Sequence, residues 1–75
     1  MNAFEMKARI SHYFLGLMIR KRVQVPELAK TLRISQARIY ALANPAITTL
    51  DLEVFVALCK HFNVRININT PGVAR

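Results

Sequence analysis

Between Gln24 and Asn44 the apolar positions fall into two short helical stripes with a corner between them. Leu28, Ala29 and Leu32 stand at i, i+1 and i+4, and Ile39 and Leu42 at i and i+3, with Ile34 in the corner. Pro26 suits a first helical turn, where its missing N–H costs nothing, and Glu27 complements the positive end of the helix dipole. Ser35 is a good N-cap for the second helix, and Asn44-Pro45 stops it. Two helices of about two turns each cannot bury enough surface to stand alone. The flanking sequence must supply a platform.

Upstream, residues 3–22 predict one long helix. Phe4, Ala8, Ile10, Phe14 and Leu17 can share a broad apolar face, with Lys7, Arg9 and Arg20 outside it. The run Arg20-Lys21-Arg22 closes that helix, where cations favour the negative dipole end. Downstream, Thr48 or Thr49 can cap a further helix, with Asp51 placed as the reciprocal half of a capping box if Thr48 is the cap. Leu52, Phe55, Val56, Cys59 and Phe62 predict its core stripe, and Asn63 tolerates a left-handed C-terminal position. The period then changes, and residues 64–69 alternate strictly between apolar and polar. No other segment reads as a strand, and a lone strand leaves its backbone groups unpaired. Pairing with the same strand of a twofold-related copy resolves this, with Val64, Ile66 and Ile68 buried in the dimer. The expectation is a single, mainly α domain over residues 1–75, with four helices and one C-terminal strand that pairs across a homodimer.

The spacing of Leu28, Ala29, Leu32, Ile34, Ile39 and Leu42 resembles the helix-turn-helix of the phage-repressor and Cro-like (XRE-type) DNA-binding family. The continuation P-A-I-T-T-L-D-L-E-V-F-V-A-L-C-K-H-F-N-V is similar to that family's fourth helix, so the resemblance covers residues 14–64. It implies a helix-turn-helix at about residues 25–43, with Ala29 letting the two helices approach and Leu28, Ile34, Ile39 and Leu42 filling the core. The terminal strand resembles that of antitoxin-type members, which pairs across a dimer. Three departures stand out: Arg33 and Arg22 occupy positions where the family usually has Gly, and Val25 occupies that of a bracing Gln.

The resemblance also makes the helix after Ser35 the reading helix. With Ile39 and Leu42 facing inward, its outward positions are Gln36, Ala37, Arg38, Tyr40 and Ala41, expected to read bases. A Gln amide pairs bidentately with adenine, an Arg with guanine, and an Ala methyl touches the thymine methyl. Asn44 matches a family position on the DNA backbone. Together with Arg33, Lys30, Arg22 and Lys21 it forms the expected phosphate-contacting set, which positions without reading sequence.

Composition agrees with a phosphate-bearing partner. The formal net charge is +7, and eight of the eleven Lys and Arg residues lie within residues 1–38. The 53% hydrophobic content suggests apolar surface kept for a partner, most simply a second copy. One cysteine forbids an intrachain disulfide and fits a reducing compartment. The apolar run over residues 13–19 is too short to span a membrane, and no basic region precedes it as in a secretory signal. A cytoplasmic protein, bacterial or phage-encoded, is expected. Cys59 and His61 are two apart on a helix with no carboxylate cluster, so no metal site is expected. The chain also lacks a Gly-rich phosphate loop, paired carboxylates and a nucleophile–base arrangement, so neither a cofactor nor an enzyme is expected. The function that follows is a homodimeric, sequence-specific transcriptional repressor on a palindromic, inverted-repeat operator in double-stranded DNA, without a membrane role. The alternative is an antitoxin or interaction module that grips a cognate toxin through Phe4 and Met6. A third reading, a basic amphipathic protein at anionic membranes, would show as liposome binding without DNA selectivity.

Overall fold

Each helix of this chain is fixed by its two ends as much as by its apolar stripe. The computed structural model describes residues 2–65, which form α1 (Ala3–Arg20), α2 (Val25–Leu32), α3 (Gln36–Ala43) and α4 (Leu52–His61). Asn2, Ser35 and Asp51 cap α1, α3 and α4, each accepting from a backbone N–H three residues on: those of Glu5, Arg38 and Val54. Gln24 makes no such side-chain bond, and α2 starts instead on Pro26 and a backbone bond from Leu28 N to Gln24 O at 3.0 Å. The α4 cap corrects the expectation of Thr48 or Thr49. Asp51 captures the first-turn N–H of Val54 and is held there by Arg38, which no threonine could pair with.

Three helices end alike. Arg22, Arg33 and Asn63 take positive φ of 54°, 58° and 57°, and the next residue's N–H reaches back to the carbonyl five positions earlier. These bonds are Val23 N to Met18 O (2.9 Å), Ile34 N to Ala29 O (3.1 Å) and Val64 N to Cys59 O (2.8 Å). This is the six-to-one closure of a Schellman motif, and the following apolar residue folds back onto its own helix. Asn63 adopts the left-handed conformation its type tolerates. Two arginines do so without that excuse, and the left-handed closure at Arg22 stops α1 at Arg20 rather than at residue 22. A left-handed L-residue costs roughly 1–2 kcal/mol, partly offset by the extra chain entropy of the Gly that would replace it. Arg33→Gly should therefore raise stability by about 0.5–1 kcal/mol in chemical denaturation. A fall would mean that the arginine side chain contributes more than its backbone costs.

α3 is the central element and packs against α1, α2 and α4. The core combines Phe14, Leu17 and Met18 of α1 with Leu28 and Ala29 of α2, Ile34 of the corner, Ile39, Leu42 and Ala43 of α3, and Val54, Leu58 and Cys59 of α4. The helix-turn-helix residues Leu28, Ala29, Ile34, Ile39 and Leu42 are all buried as the spacing required. Phe14 sits at the junction of the helices, edge-on to Tyr13 and Phe55.

Two helices are rotated from the expected phase. In α1, Phe4 is 60% exposed and Lys7 is only 2% exposed, which reverses both assignments. The inward stripe is Lys7, Ser11, Phe14 and Met18, at i, i+4, i+7 and i+11. In α4, Leu52 and Val56 are exposed, while Val54 and Leu58 are fully buried. α4 is apolar almost all round (L-E-V-F-V-A-L-C), so hydropathy alone leaves its phase undecided; the Asp51 cap fixes its start and, through Arg38, ties that end to α3. Among the described residues no strand is present; Val64 and Arg65 continue as irregular chain, and the rest of the expected strand lies outside the described residues.

Candidate nucleic-acid interface

The outward side of α3 carries Gln36, Ala37 and Tyr40, all exposed, with Ala41 and Arg38 half-buried beside them. Ile39, Leu42 and Ala43 hold the opposite side in the core. The five residues expected to read bases thus share one helix, but not one state. Gln36 and Tyr40 make no side-chain hydrogen bond to any described residue. Arg38 is engaged on two sides. Its Nε and Nη2 donate to Asp51 Oδ2 and Oδ1 at 2.8 and 2.9 Å, and Nη2 donates again to Glu53 Oε1 at 2.6 Å. The hydrogen bonds it donates to Asp51, then to Glu53, push the guanidinium further above its already high pKa. In return Arg38 holds the Asp51 carboxyl below the usual carboxylate range.

The expected phosphate partners are all exposed, but the fold does not bring all of them to this helix. Lys30 and Arg33 are exposed at the C-terminal end of α2, directly before the α3 cap. Lys21 and Arg22 are exposed just after α1, and Arg22 lines a groove shared with Tyr40 and Ala43. Lys21 instead faces a second, polar groove with Glu27, Thr31 and His61. Asn44 is exposed after α3, with Oδ1 accepting from Ala46 N at 2.9 Å and its amide nitrogen donating to no described residue.

What the sequence did not disclose is how α3 is held from beneath. The buried Lys7 Nζ donates to Ala41 O (3.1 Å), Asn44 O (3.1 Å), Ile47 O (2.7 Å) and Ser11 Oγ (2.8 Å). Ser11 Oγ passes the contact on, donating to Leu42 O at 2.6 Å. These are the last carbonyls of α3 and the first of the loop after it, the negative end of the helix dipole. A single ammonium thus anchors the end of α3 and the 44–47 loop to α1. Burial pushes the Lys7 pKa below its ordinary value, and among the described residues no carboxylate hydrogen-bonds it. Among the described residues, backbone carbonyl dipoles and the Ser11 hydroxyl stabilise the charge. The legible signal was positional: Lys7 and Ser11 share a helical phase with Phe14 and Met18.

Cys59 is buried between α1 and α4, where desolvation raises its thiol pKa, and it behaves as a small hydrophobe. Among the described residues no group of His, Cys, Asp or Glu could hold a metal ion, and no helix is long and apolar enough to cross a membrane.

A short helix wedged against a second across a tight left-handed corner, with Gln36, Ala37 and Tyr40 exposed on its outer side and Lys30 and Arg33 exposed beside the corner, defines a helix-turn-helix DNA-binding domain. The chain belongs to the Cro/C1-type HTH DNA-binding domain family, whose model matches residues 15–67. Comparison with curated proteins and with solved structures gives no match.

Proposed function

We propose that the protein is a homodimeric transcriptional repressor that inserts α3 into the major groove of an inverted-repeat operator. The observation that carries this is the contrast along α3: both ends and its inner side are fixed, while Gln36, Ala37 and Tyr40 are left free. A helix built to be rigid beneath and unpartnered above suits base reading, which needs donors held in place before contact. Asn44, Arg33, Lys30, Arg22 and Lys21 take the phosphate-positioning role. The dimer forms through Val64, Ile66 and Ile68. An apolar groove lined by Ile10, Tyr13, Phe14 and Phe55, with Val64 at its edge packed on its own core, supports this by giving a second copy surface to cover. The site of action is the cytoplasm, and repression follows from occluding a promoter.

Selection of bound duplexes from a random library tests this directly. The expected product is an inverted repeat with about 10 base pairs between half-site centres, matching two reading helices one DNA turn apart. Gln36→Ala should lower affinity by about 1–3 kcal/mol at one base position of each half-site and leave other positions intact. Recovery of no common sequence would reject base reading by α3. Tight co-purification with an unrelated protein, without duplex selectivity, would favour the antitoxin reading instead.

A further inference from the structure

Arg38 presents a chemical puzzle for a base-reading residue. A guanidinium has five N–H donors arranged along two edges that can grip a planar acceptor bidentately. In this protein Asp51 takes the Nε/Nη2 edge, and Glu53 takes the second hydrogen of Nη2, which belongs to the Nη1/Nη2 edge. Only Nη1 keeps both hydrogens. Two carboxylates against one guanidinium also leave the cluster with a net negative charge. A phosphate approaching it is repelled, whereas the neutral edge of a guanine is not.

The two carboxylates are not equivalent. The Asp51 side chain is 31% exposed, makes two bonds to Arg38, and caps α4 by accepting from Val54 N. The Glu53 side chain is 73% exposed and makes a single contact. Glu53 can swing into water at little cost, freeing the Nη1/Nη2 edge, while Asp51 keeps the guanidinium oriented.

We infer that Glu53 is a specificity-determining residue that withholds Arg38 from DNA phosphates and releases it to a guanine edge. This rests on the reading of α3 as the DNA-facing helix. Asp51 is then a positioning residue for Arg38. The combined effect is to remove Arg38 from non-specific attraction while keeping it available for guanine O6 and N7.

The test is a double-mutant cycle of Glu53→Ala with Arg38→Met, read as the salt dependence of affinity for selected and scrambled duplexes. Glu53→Ala in the parent should tighten binding to scrambled DNA and steepen its log–log salt slope by about 0.9 per subunit, as Arg38 becomes free to neutralise a phosphate. The ratio of specific to non-specific affinity should fall about fivefold or more, since a bidentate base contact loses its advantage. Neither change should appear in the Arg38→Met background. Glu53→Gln, which keeps the shape, should behave like Glu53→Ala and melt like the parent. An equal shift in both backgrounds would mean that a lost surface charge explains everything and would overturn the inference, as would an unchanged slope in the parent background. If the parent binds no duplex at all, the reading beneath it falls as well.

Discussion

Lys7→Met should lower the stability of the domain by about 2–4 kcal/mol and weaken DNA binding with it. The three N–H donors of the Lys7 ammonium are shared among four acceptors, three of them backbone carbonyls at the end of α3 and in the following loop. Charge-assisted hydrogen bonds contribute roughly 1.5–3 kcal/mol each, while removing an ammonium from water costs several kcal/mol, so the net loss is well below the sum. Methionine keeps the volume of the side chain, so little of the effect comes from a cavity. What it leaves behind is the carbonyls of Ala41, Asn44 and Ile47 without their donor, and, among the described residues, Ser11 as the remaining side-chain hydrogen bond from α1 to α3. Urea denaturation reads the stability. Hydrogen exchange should show its greatest loss of protection in the last turn of α3 and the 44–47 loop.

The same variant isolates the pH dependence of this group. Burial depresses the Lys7 pKa below 10.5, so near that pH the unfolded chain holds the proton more firmly than the folded one. Stability therefore rises with pH between the folded-state value and 10.5, and below that interval the full desolvation penalty applies. Measured against Lys7→Met, the parent should gain stability as the pH climbs through that range. A Lys7→Met protein as stable as the parent would show that desolvation cancels every bond the ammonium makes.

The helix-turn-helix was legible because its signals agree. Leu28, Ala29, Ile34, Ile39 and Leu42 leave one phase for each short helix, and Ser35 and Pro26 mark where each begins. The flanking helices were less legible for opposite reasons. α4 offers too many apolar residues, so Leu52 and Val56 fitted a stripe as well as Val54 and Leu58 did. α1 hides part of its inward stripe behind a lysine and a serine, and hydropathy assigns a lysine to water. Only the carbonyls of α3, distant in sequence, explain why Lys7 lies inside. The Arg38 contacts share that origin: Asp51 and Glu53 lie 13 and 15 residues away, and the fold brings them together. Long-range polar contacts of this kind leave no periodic trace. The site was therefore read as a helix and a face, but not as the two clamps that hold it.

The reading of α3 as a DNA-facing helix stands or falls on electrostatics joined to sequence selectivity. With Arg38 paired to two carboxylates, the exposed cations nearest α3 in the chain and fold include Arg22, Lys30 and Arg33, none of them in a salt bridge among the described residues. If about three to five phosphates are neutralised per subunit, log affinity should fall against log salt with a slope of roughly −5 to −9 for a dimer. Between about 50 and 200 mM salt this amounts to a loss of roughly a thousandfold or more. The most direct measurement is therefore a salt titration of binding to a selected inverted repeat beside a scrambled duplex of equal length. A steep slope on both duplexes, with the selected one bound more tightly throughout, is the predicted result. A slope near zero, or equal affinity for the two duplexes, would contradict it.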